Sequence, residues 1–394
     1  MKKVIFGTAL ASMALLSACS SDNELANVET AANNAIGFHV VGNKAETRAM
    51  IIDNKNIIGT NFNVYAFTNE GTAFMGTNDN VAGFNGINIS YKGEEGKKMW
   101  NYTDPTDLRY WPTDEKTTPL NFYAVNPGTN NFDTDYMQVY GWEFKHDQQK
   151  IHYTCFDEFG SGTKANIDVM YGIEKDQTYS KSNGGKVKFH FKHILSQVVF
   201  QAKTALESME VNIKEIKIHN IKFAGNFTLP ATSTESGTWA LTPIPEAADG
   251  KRHNAFTVVK DQNITVKNTV TDISSETPML ITPQPLTAWD VTTPKTKEQA
   301  DAAEPIESYL EITCKIKQAG VYVFGSESKY ETLYVPFGTT WEIGKRHIYT
   351  LIFGGGYDMD GHTILKPINF EAETTKWEDD IKNNNNGNDI NIDK

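Results

Sequence analysis

The stretch Lys186-Val187-Lys188-Phe189-His190-Phe191-Lys192 alternates polar and apolar side chains without a break. Strict alternation gives a β-strand one apolar face and one solvated face. Similar alternation recurs at residues 61–67, 120–125 and 213–223, and glycine or proline clusters separate such runs at short intervals. This spacing favours a sandwich or a barrel over βαβ units, so the sequence predicts an all-β fold. Helical periodicity is confined to residues 203–209 and 296–304.

The chain has 394 residues, which is more than one average domain. Residues 180–185 (Ser-Lys-Ser-Asn-Gly-Gly) form a turn-forming cluster without apolar side chains, and they divide the body into halves of similar size. We therefore expect two separable domains, residues 49–183 and 184–377, which proteases cut apart at 180–185 or in the 292–304 loop. Residues 378–394 contain an asparagine run and are predicted to be a disordered tail.

The N-terminus has the features of an export signal. Lys2 and Lys3 precede an apolar run from Val4 to Leu16, and small residues then lead to Cys19. The run is shorter than the roughly 20 apolar residues that span a bilayer, so residues 1–18 are predicted to be a processed signal peptide. The pattern resembles the lipobox of bacterial lipoproteins, which implies that Cys19 carries acyl chains such as palmitate. The alternative is a plain signal peptide with an incidental cysteine.

An isolated strand follows this signal. The chain from residue 20 to about 34 has little to bury and is predicted to be a tether. Ile36, Phe38 and Val40 then alternate with smaller or polar residues, which predicts a strand with one apolar face. Residues 42–49 have nothing to pack and are expected to form an accessible loop containing Arg48.

Charge and cysteine usage limit the classes of partner. The formal net charge is −12, and removal of Lys2 and Lys3 with the signal takes it to −14, which argues against nucleic acid as a partner. Besides Cys19 the chain contains only Cys155 and Cys314, too few for a disulfide framework. We interpret both as small buried apolar residues, with a single long-range bridge as the alternative.

No constellation of residues indicates catalysis, a cofactor or a metal. His190 and His193 face opposite sides of a strand and are not expected to share a metal, and His193 is expected to be buried and hydrogen-bonded. A Gly-x-Ser-x-Gly nucleophile motif is absent from the sequence. Four aromatic residues close together in the sequence could form a platform for stacking sugars, but we interpret them as part of the β core: Trp100, Tyr102, Tyr110 and Trp111. The chain is therefore predicted to be non-enzymatic.

An ordered series of motifs identifies a family. It consists of Trp100-Asn101-Tyr102, Arg109-Tyr110-Trp111-Pro112, residues 120–127, Asp168-Val169-Met170-Tyr171-Gly172, residues 187–195, residues 278–284, Trp341-Glu342-Ile343-Gly344-Lys345, Tyr349-Thr350-Leu351 and Trp377. Each motif alone is weak, but the ordered set spans nearly the whole mature chain. It resembles the fimbrillin family, the type V pilins and related surface lipoproteins of Bacteroides-like bacteria.

The resemblance implies two tandem transthyretin-like β-sandwich domains and assembly of a fimbrium at the outer membrane. It also implies donor-strand exchange with other fimbrial subunits. An arginine-specific protease cuts between Arg48 and Ala49, the strand carrying Ile36, Phe38 and Val40 leaves, and a neighbour's strand fills the groove. Residues 19–48 would then be a propeptide. The adhesion ligand would be a host or bacterial surface.

Three alternatives stay open at this point. The segment after Trp377 offers only Ile390 and Ile392 as a short donor strand, so a tip or accessory subunit fits at least as well as a stalk subunit. A tethered glycan-binding lipoprotein would use exposed aromatics such as Trp142 or Trp289. A secreted hydrolase would need paired carboxylates about 5–10 Å apart in a cleft.

Overall fold

The structure of the chain is a computed structural model. It describes residues 34–41, 60–76, 86–92, 99–114, 118–128, 140–155, 166–182, 184–244, 254–260, 262–274, 279–291, 296–354, 359 and 369–376. Within these ranges no helix is long and apolar enough to cross a bilayer. The described residues are almost entirely strands and their connections, which confirms the predicted all-β fold.

Strands up to residue 193 come first in the order of elements. They are β1 (Gly37–Val41), β2 (Asn61–Thr68), β3 (Ala73–Met75), β4 (Ile87–Lys92), β5 (Met99–Tyr102), β6 (Leu120–Asn126), β7 (Tyr140–Lys145), β8 (Gln148–Thr154), β9 (Met170–Gln177), β10 (Lys186–His190) and β11 (Lys192–His193). A short 3-10 helix at Pro105–Asp107 follows β5, and the Asp104 carboxylate caps it by accepting from the Thr106 N–H at 2.9 Å.

Strands after residue 193 are longer on average. They are β12 (Ser196–Thr204), β13 (Met209–His219), β14 (Ala224–Thr228), β15 (Thr238–Leu241), β16 (Ala255–Val259), β17 (Ile264–Val266), β18 (Thr271–Asp272), β19 (Met279–Ile281), β20 (Pro285–Ala288), β21 (Glu307–Gln318), β22 (Val321–Phe324), β23 (Glu331–Pro336), β24 (Thr339–Thr340), β25 (Lys345–Phe353) and β26 (Asn369–Lys376). The helix α1 (Lys297–Asp301) begins at a capping box made by Thr296 and Gln299.

The two helix predictions have different outcomes. Residues 296–304 contain α1, as expected. The prediction at 203–209 is wrong, because β12 ends at Thr204, a turn follows, and β13 begins at Met209. The strands on either side are both paired, and this turn is the short connection between them. Tertiary strand pairing therefore determines the structure of this segment, and its local helical periodicity does not.

The strands within the described residues form five sheets. β1 pairs with β10 in parallel, and a second sheet has the order β11-β9-β6-β2-β4-β5, with β3 on β2. A third sheet has the order β18-β12-β25-β26, with β19 on β12, and a fourth has the order β16-β13-β21-β20-β24, with β17, β22 and β23 beside it. The fifth sheet, β15-β14-β8-β7, joins strands from both halves of the sequence.

The β2–β6 sheet lies between two hydrophobic cores. In β2, Phe62 and Val64 enter a cluster with β1 and β10, which we call the N-terminal cluster. Tyr65 and Phe67 enter a second, larger cluster that reaches Phe353. Every residue of β2 except Thr68 is therefore buried, whereas the alternating sequence predicted only one buried face.

Several pairings cross the residue at which the sequence suggests a domain boundary. β10 and β11 lie after residue 183, yet they pair with β1 and β9. In the turn after β9, the Gly185 N–H donates to the Tyr179 carbonyl at 3.1 Å. The division into 49–183 and 184–377 stays a prediction, and the proposed linker is the connection between β9 and β10.

Candidate functional site: the N-terminal strand and its groove

The candidate site is the groove that holds β1. Ile36 and Val40 are at most 1% exposed and Phe38 is 6% exposed, so the apolar face predicted from the alternation is buried. The N-terminal cluster around them draws its other side chains from β2 to β6, β9 and β10, together with Phe191 and the 108–111 segment. β1 therefore fills a gap in a core that is built by residues far away in the sequence.

A parallel ladder holds one edge of β1. The register runs from Gly37 opposite Lys186 to Val41 opposite His190, with Phe38 opposite Val187 and Val40 opposite Phe189. In a parallel pair the hydrogen bonds are evenly spaced along the strands, so β10 supplies the backbone groups that β1 needs along this edge. Loss of β1 would leave those groups on β10 without their partner.

A second set of contacts fixes the start of the strand. The Ile36 N–H donates to the Arg109 carbonyl at 2.9 Å, and the Trp111 N–H donates to the Asn34 carbonyl at 2.8 Å. The Asn34 side chain donates back to the Trp111 carbonyl at 3.0 Å. The Tyr102 hydroxyl donates to the Ile36 carbonyl at 3.0 Å, and burial keeps the pKa of Tyr102 well above its usual value, so the donor proton is retained.

Phe38 is the central side chain of the groove. Its ring stacks nearly parallel to Phe189 at 6.3 Å between centroids, and it meets Tyr102 and Phe62 in edge-to-face geometry at 5.7 and 6.3 Å. Offset stacking and edge-to-face contacts are the preferred arrangements of aromatic pairs. The pocket at this position is therefore complementary to an aromatic side chain.

The remaining predicted site residues are Cys19, Arg48 and Ala49, and all three lie outside the described residues. Acylation at Cys19 and cleavage after Arg48 therefore stay predictions.

His193 and the two cysteines singled out in the sequence are buried and have structural roles. His193 is buried, and its Nδ1 lies 2.9 Å from an Asp168 carboxylate oxygen, which confirms the expected hydrogen-bonding role. Cys155 and Cys314 are free and buried, so the alternative of a bridge between them is not realised, and burial raises the pKa of the Cys155 thiol to about 12. Among the described residues no cluster of histidine, cysteine and carboxylate side chains has metal-site geometry.

The aromatic candidates are mostly core. Trp100, Tyr102 and Trp111 are buried, as predicted, whereas Tyr110 is 40% exposed. The expectation that Trp142 and Trp289 are exposed is wrong, because they are 3% and 1% exposed. Trp142 packs in the large cluster, and Trp289 packs edge-on against Tyr309 with centroids 5.7 Å apart.

Sequence reasoning missed the residues that hold the strand from outside it. The Tyr102 hydroxyl donates to the Ile36 carbonyl and the Asn34 side chain donates to the Trp111 carbonyl, and no strand or loop pattern indicates these contacts. The Trp111 indole donates to the Gly185 carbonyl at 3.0 Å and so ties the β9–β10 turn to the same segment. No local signal identifies these partners, since they are 66 to 77 positions apart in the sequence.

Comparison with known proteins supports a family assignment. Residues 47–377 match a family model described as fimbrillin-like. A solved fimbrial protein from Bacteroides vulgatus has a TM-score of 0.51 and 16% identity, with 88% of this chain and 100% of that chain aligned, which shows a shared fold. The tip fimbrial protein Mfa3 from Porphyromonas gingivalis, truncated at its C-terminus, aligns with a TM-score of 0.37 and 9% identity over 86% of this chain and 99% of that chain. No curated protein matches the sequence. Since the family model covers most of the sequence, the chain belongs to the fimbrillin-like family.

Proposed function

We propose that the chain is a fimbrial subunit that assembles at the cell surface by protease-triggered donor-strand exchange. The observation that carries the proposal is β1, a five-residue strand whose apolar face fills a core built by distant residues. β1 ends at Val41, and the segment that follows contains Arg48 and is predicted from its sequence to be an accessible loop. Cleavage there would leave only non-covalent contacts to hold the strand.

The energetics favour replacement of the strand over an empty groove. Each fully buried side chain of this size contributes about 1.5–3 kcal/mol, so loss of Ile36, Phe38 and Val40 exposes a substantial apolar surface. The edge of β10 would also lose its parallel partner, and an open apolar edge is a template for another strand. A donor strand from a neighbouring subunit would restore both the core and the ladder.

The proposal also includes export as a lipoprotein and a position in the fimbrium. Removal of residues 1–18 and acylation of Cys19 would tether the precursor to the outer membrane by lipid, since several acyl chains together anchor a protein firmly. The other fimbrial subunits would be the partners in strand exchange. The short alternation of Ile390 and Ile392 after Trp377 supports a tip or accessory position as well as a stalk position.

Arginine-specific digestion of the purified precursor tests the mechanism. We expect a fragment that begins at Ala49, unfolds at a lower temperature than the precursor and self-associates in size-exclusion chromatography. Arg48→Ala should keep its melting temperature and remain monomeric under the same treatment. Arg252→Ala is the matched control, because it removes another arginine and should still be cut after Arg48.

Two results would overturn strand exchange. One is a wild-type precursor that resists the protease, and the other is a cut product that keeps its melting temperature and stays monomeric. The tethered glycan-binding lipoprotein would then be the better account, although burial of Trp142 and Trp289 removes the two stacking residues proposed for it.

A further inference from the structure

The outward face of the sheet that contains β13 and β21 carries an unusual pair of lysines. Lys315 and Lys317 are two positions apart on β21, and the buried Cys314 and Ile316 alternate with them, so both lysines point away from the core. We infer that these lysines, with Tyr322 and Tyr330, form a binding site for an acidic polysaccharide.

Tyrosine rings flank the two ammonium groups. The Lys317 Nζ lies 4.8 Å from the centroid of Tyr322, whereas the Lys315 Nζ lies between two rings, 4.7 Å from Tyr330 and 5.9 Å from Tyr322. Cations within about 6 Å of an aromatic face are attracted to it. The rings therefore hold both charges at fixed places on the sheet.

A tight loop fixes Lys315 further. Its ammonium donates to the Glu327 carbonyl at 3.0 Å, and the Ser326 N–H donates to the Lys329 carbonyl at 2.9 Å to close the loop. The Tyr330 hydroxyl donates to the Asn263 side-chain oxygen. One of the three ammonium donors of Lys315 is thus satisfied by protein, which leaves two for a ligand.

Most other charges near this face are paired. Lys217 lies 3.0 Å from Glu215, Lys329 lies 2.9 Å from Glu331, and Lys267 lies 3.5 Å from Glu210, the register partner of Lys317. Among the described residues, neither Lys315 nor Lys317 has a carboxylate within ion-pair distance. Both ammonium groups are held beside tyrosine rings and have no carboxylate partner in the part of the chain that the structure describes, so they are available to a negatively charged ligand.

The geometry selects the class of ligand. Residues two apart on a strand lie about 7 Å apart along it, so Lys315 and Lys317 present two neighbouring positive charges to a polymer with repeated acidic groups. Lysine binds carboxylate or sulfate through charge-assisted hydrogen bonds, and a tyrosine face packs against the apolar side of a sugar ring. A repeating uronic acid or sulfated polymer matches both features. The site lies away from β1, so this inference does not depend on strand exchange.

Immobilised polygalacturonate and heparin test the site, with dextran as the neutral reference. The full chain should bind at least one acidic polymer and bind dextran much more weakly. Preference for polygalacturonate would assign carboxylate groups, and preference for heparin would assign sulfate groups. Lys315→Gln/Lys317→Gln should lower the affinity by at least about tenfold, as expected for lost charged hydrogen bonds, and Tyr322→Ala should weaken binding too.

Lys217→Gln is the matched control, because Lys217 lies on the same sheet face but is ion-paired with Glu215. It should leave binding within about twofold of wild type, since a paired surface charge contributes little. Absence of binding to both acidic polymers, equal binding to dextran, or an equal loss in Lys217→Gln would overturn the proposal. Circular dichroism of each variant shows that the fold is retained.

Discussion

At the scale of single residues, Phe38 is the side chain on which the docking of β1 depends most. It touches aromatic rings from three other strands, β2, β5 and β10. We expect Phe38→Ala to lower the free energy of unfolding of the precursor by about 3–5 kcal/mol, the usual cost of a large cavity in a core. Urea unfolding monitored by fluorescence measures this change.

Lys188→Ala is the control for Phe38→Ala. Lys188 lies opposite His39 in the register but is exposed, so its substitution should change stability by no more than about 0.5 kcal/mol. If Phe38→Ala were as mild as Lys188→Ala, β1 would not be an integral part of the core.

His347 gives the precursor a predictable response to acid. The ring is buried, its Nε2 accepts from the Glu342 N–H at 3.1 Å, and burial lowers its pKa below the ordinary value. The unfolded chain therefore takes up a proton at a pH where the folded chain does not. The contribution of the neutral His347 ring to the free energy of unfolding is fully present above the ordinary histidine pKa of about 6.5. It is lost as the pH falls below that value.

We expect His347→Gln to reduce this loss, because glutamine retains an acceptor and does not titrate. The measurement compares urea midpoints of wild type and variant at about pH 7.5 and pH 5, on either side of the ordinary histidine pKa. The remaining titrating groups are common to both proteins, so their contributions cancel in the comparison. An equal fall in midpoint for both proteins would contradict the assignment.

At the scale of elements, the central strands show how burial on two faces alters a sequence pattern. In β6, Phe122 and Ala124 face the N-terminal cluster, and Tyr123 and Val125 face the large cluster. Buried asparagines such as Asn63 and Asn126 sit at the end of this sheet and bond to neighbouring polar groups, for example Asn88 Nδ2 to Asn63 Oδ1 at 2.6 Å. Polar residues in these strands are therefore buried and mostly hydrogen-bonded, although Asn61 Oδ1 and Asn126 Oδ1 have no hydrogen-bond partner among the described residues.

At the scale of the whole molecule, the two halves share a core and a sheet. The large cluster contains Tyr65 and Phe353, and the β15-β14-β8-β7 sheet joins residues 140–154 to residues 224–241. We expect calorimetry of the precursor to give one cooperative transition, because neither half can lose its packing alone. Two resolved transitions would instead support the separable domains that the sequence composition predicts.

Limited proteolysis offers a second view of the same question. A cut in the exposed turn at Lys181 should leave two fragments that elute together, since β1–β10, β9–β11 and β8–β14 pairs cross the cut. Separation of the fragments without denaturant would contradict the shared core.

Local periodicity determined which segments become strands and which side chains of β1 face inward. The alternation of Ile36, Phe38 and Val40 was sufficient to predict their burial, because side chains on a strand alternate with a period of two. The all-β class, the position of α1 and the buried role of His193 also followed from local pattern. Family membership came from ordered motifs along the chain.

Tertiary structure decided what each strand packs against. The partner of β1 is a parallel strand about 150 residues later, and the groove is closed by Tyr102 and Trp111. Tertiary structure also decided which strands form the sheet that joins the two halves, and it placed the lysine pair beside Tyr322 and Tyr330. Pairing of distant strands depends on the combined burial of many side chains, which no single stretch of sequence specifies.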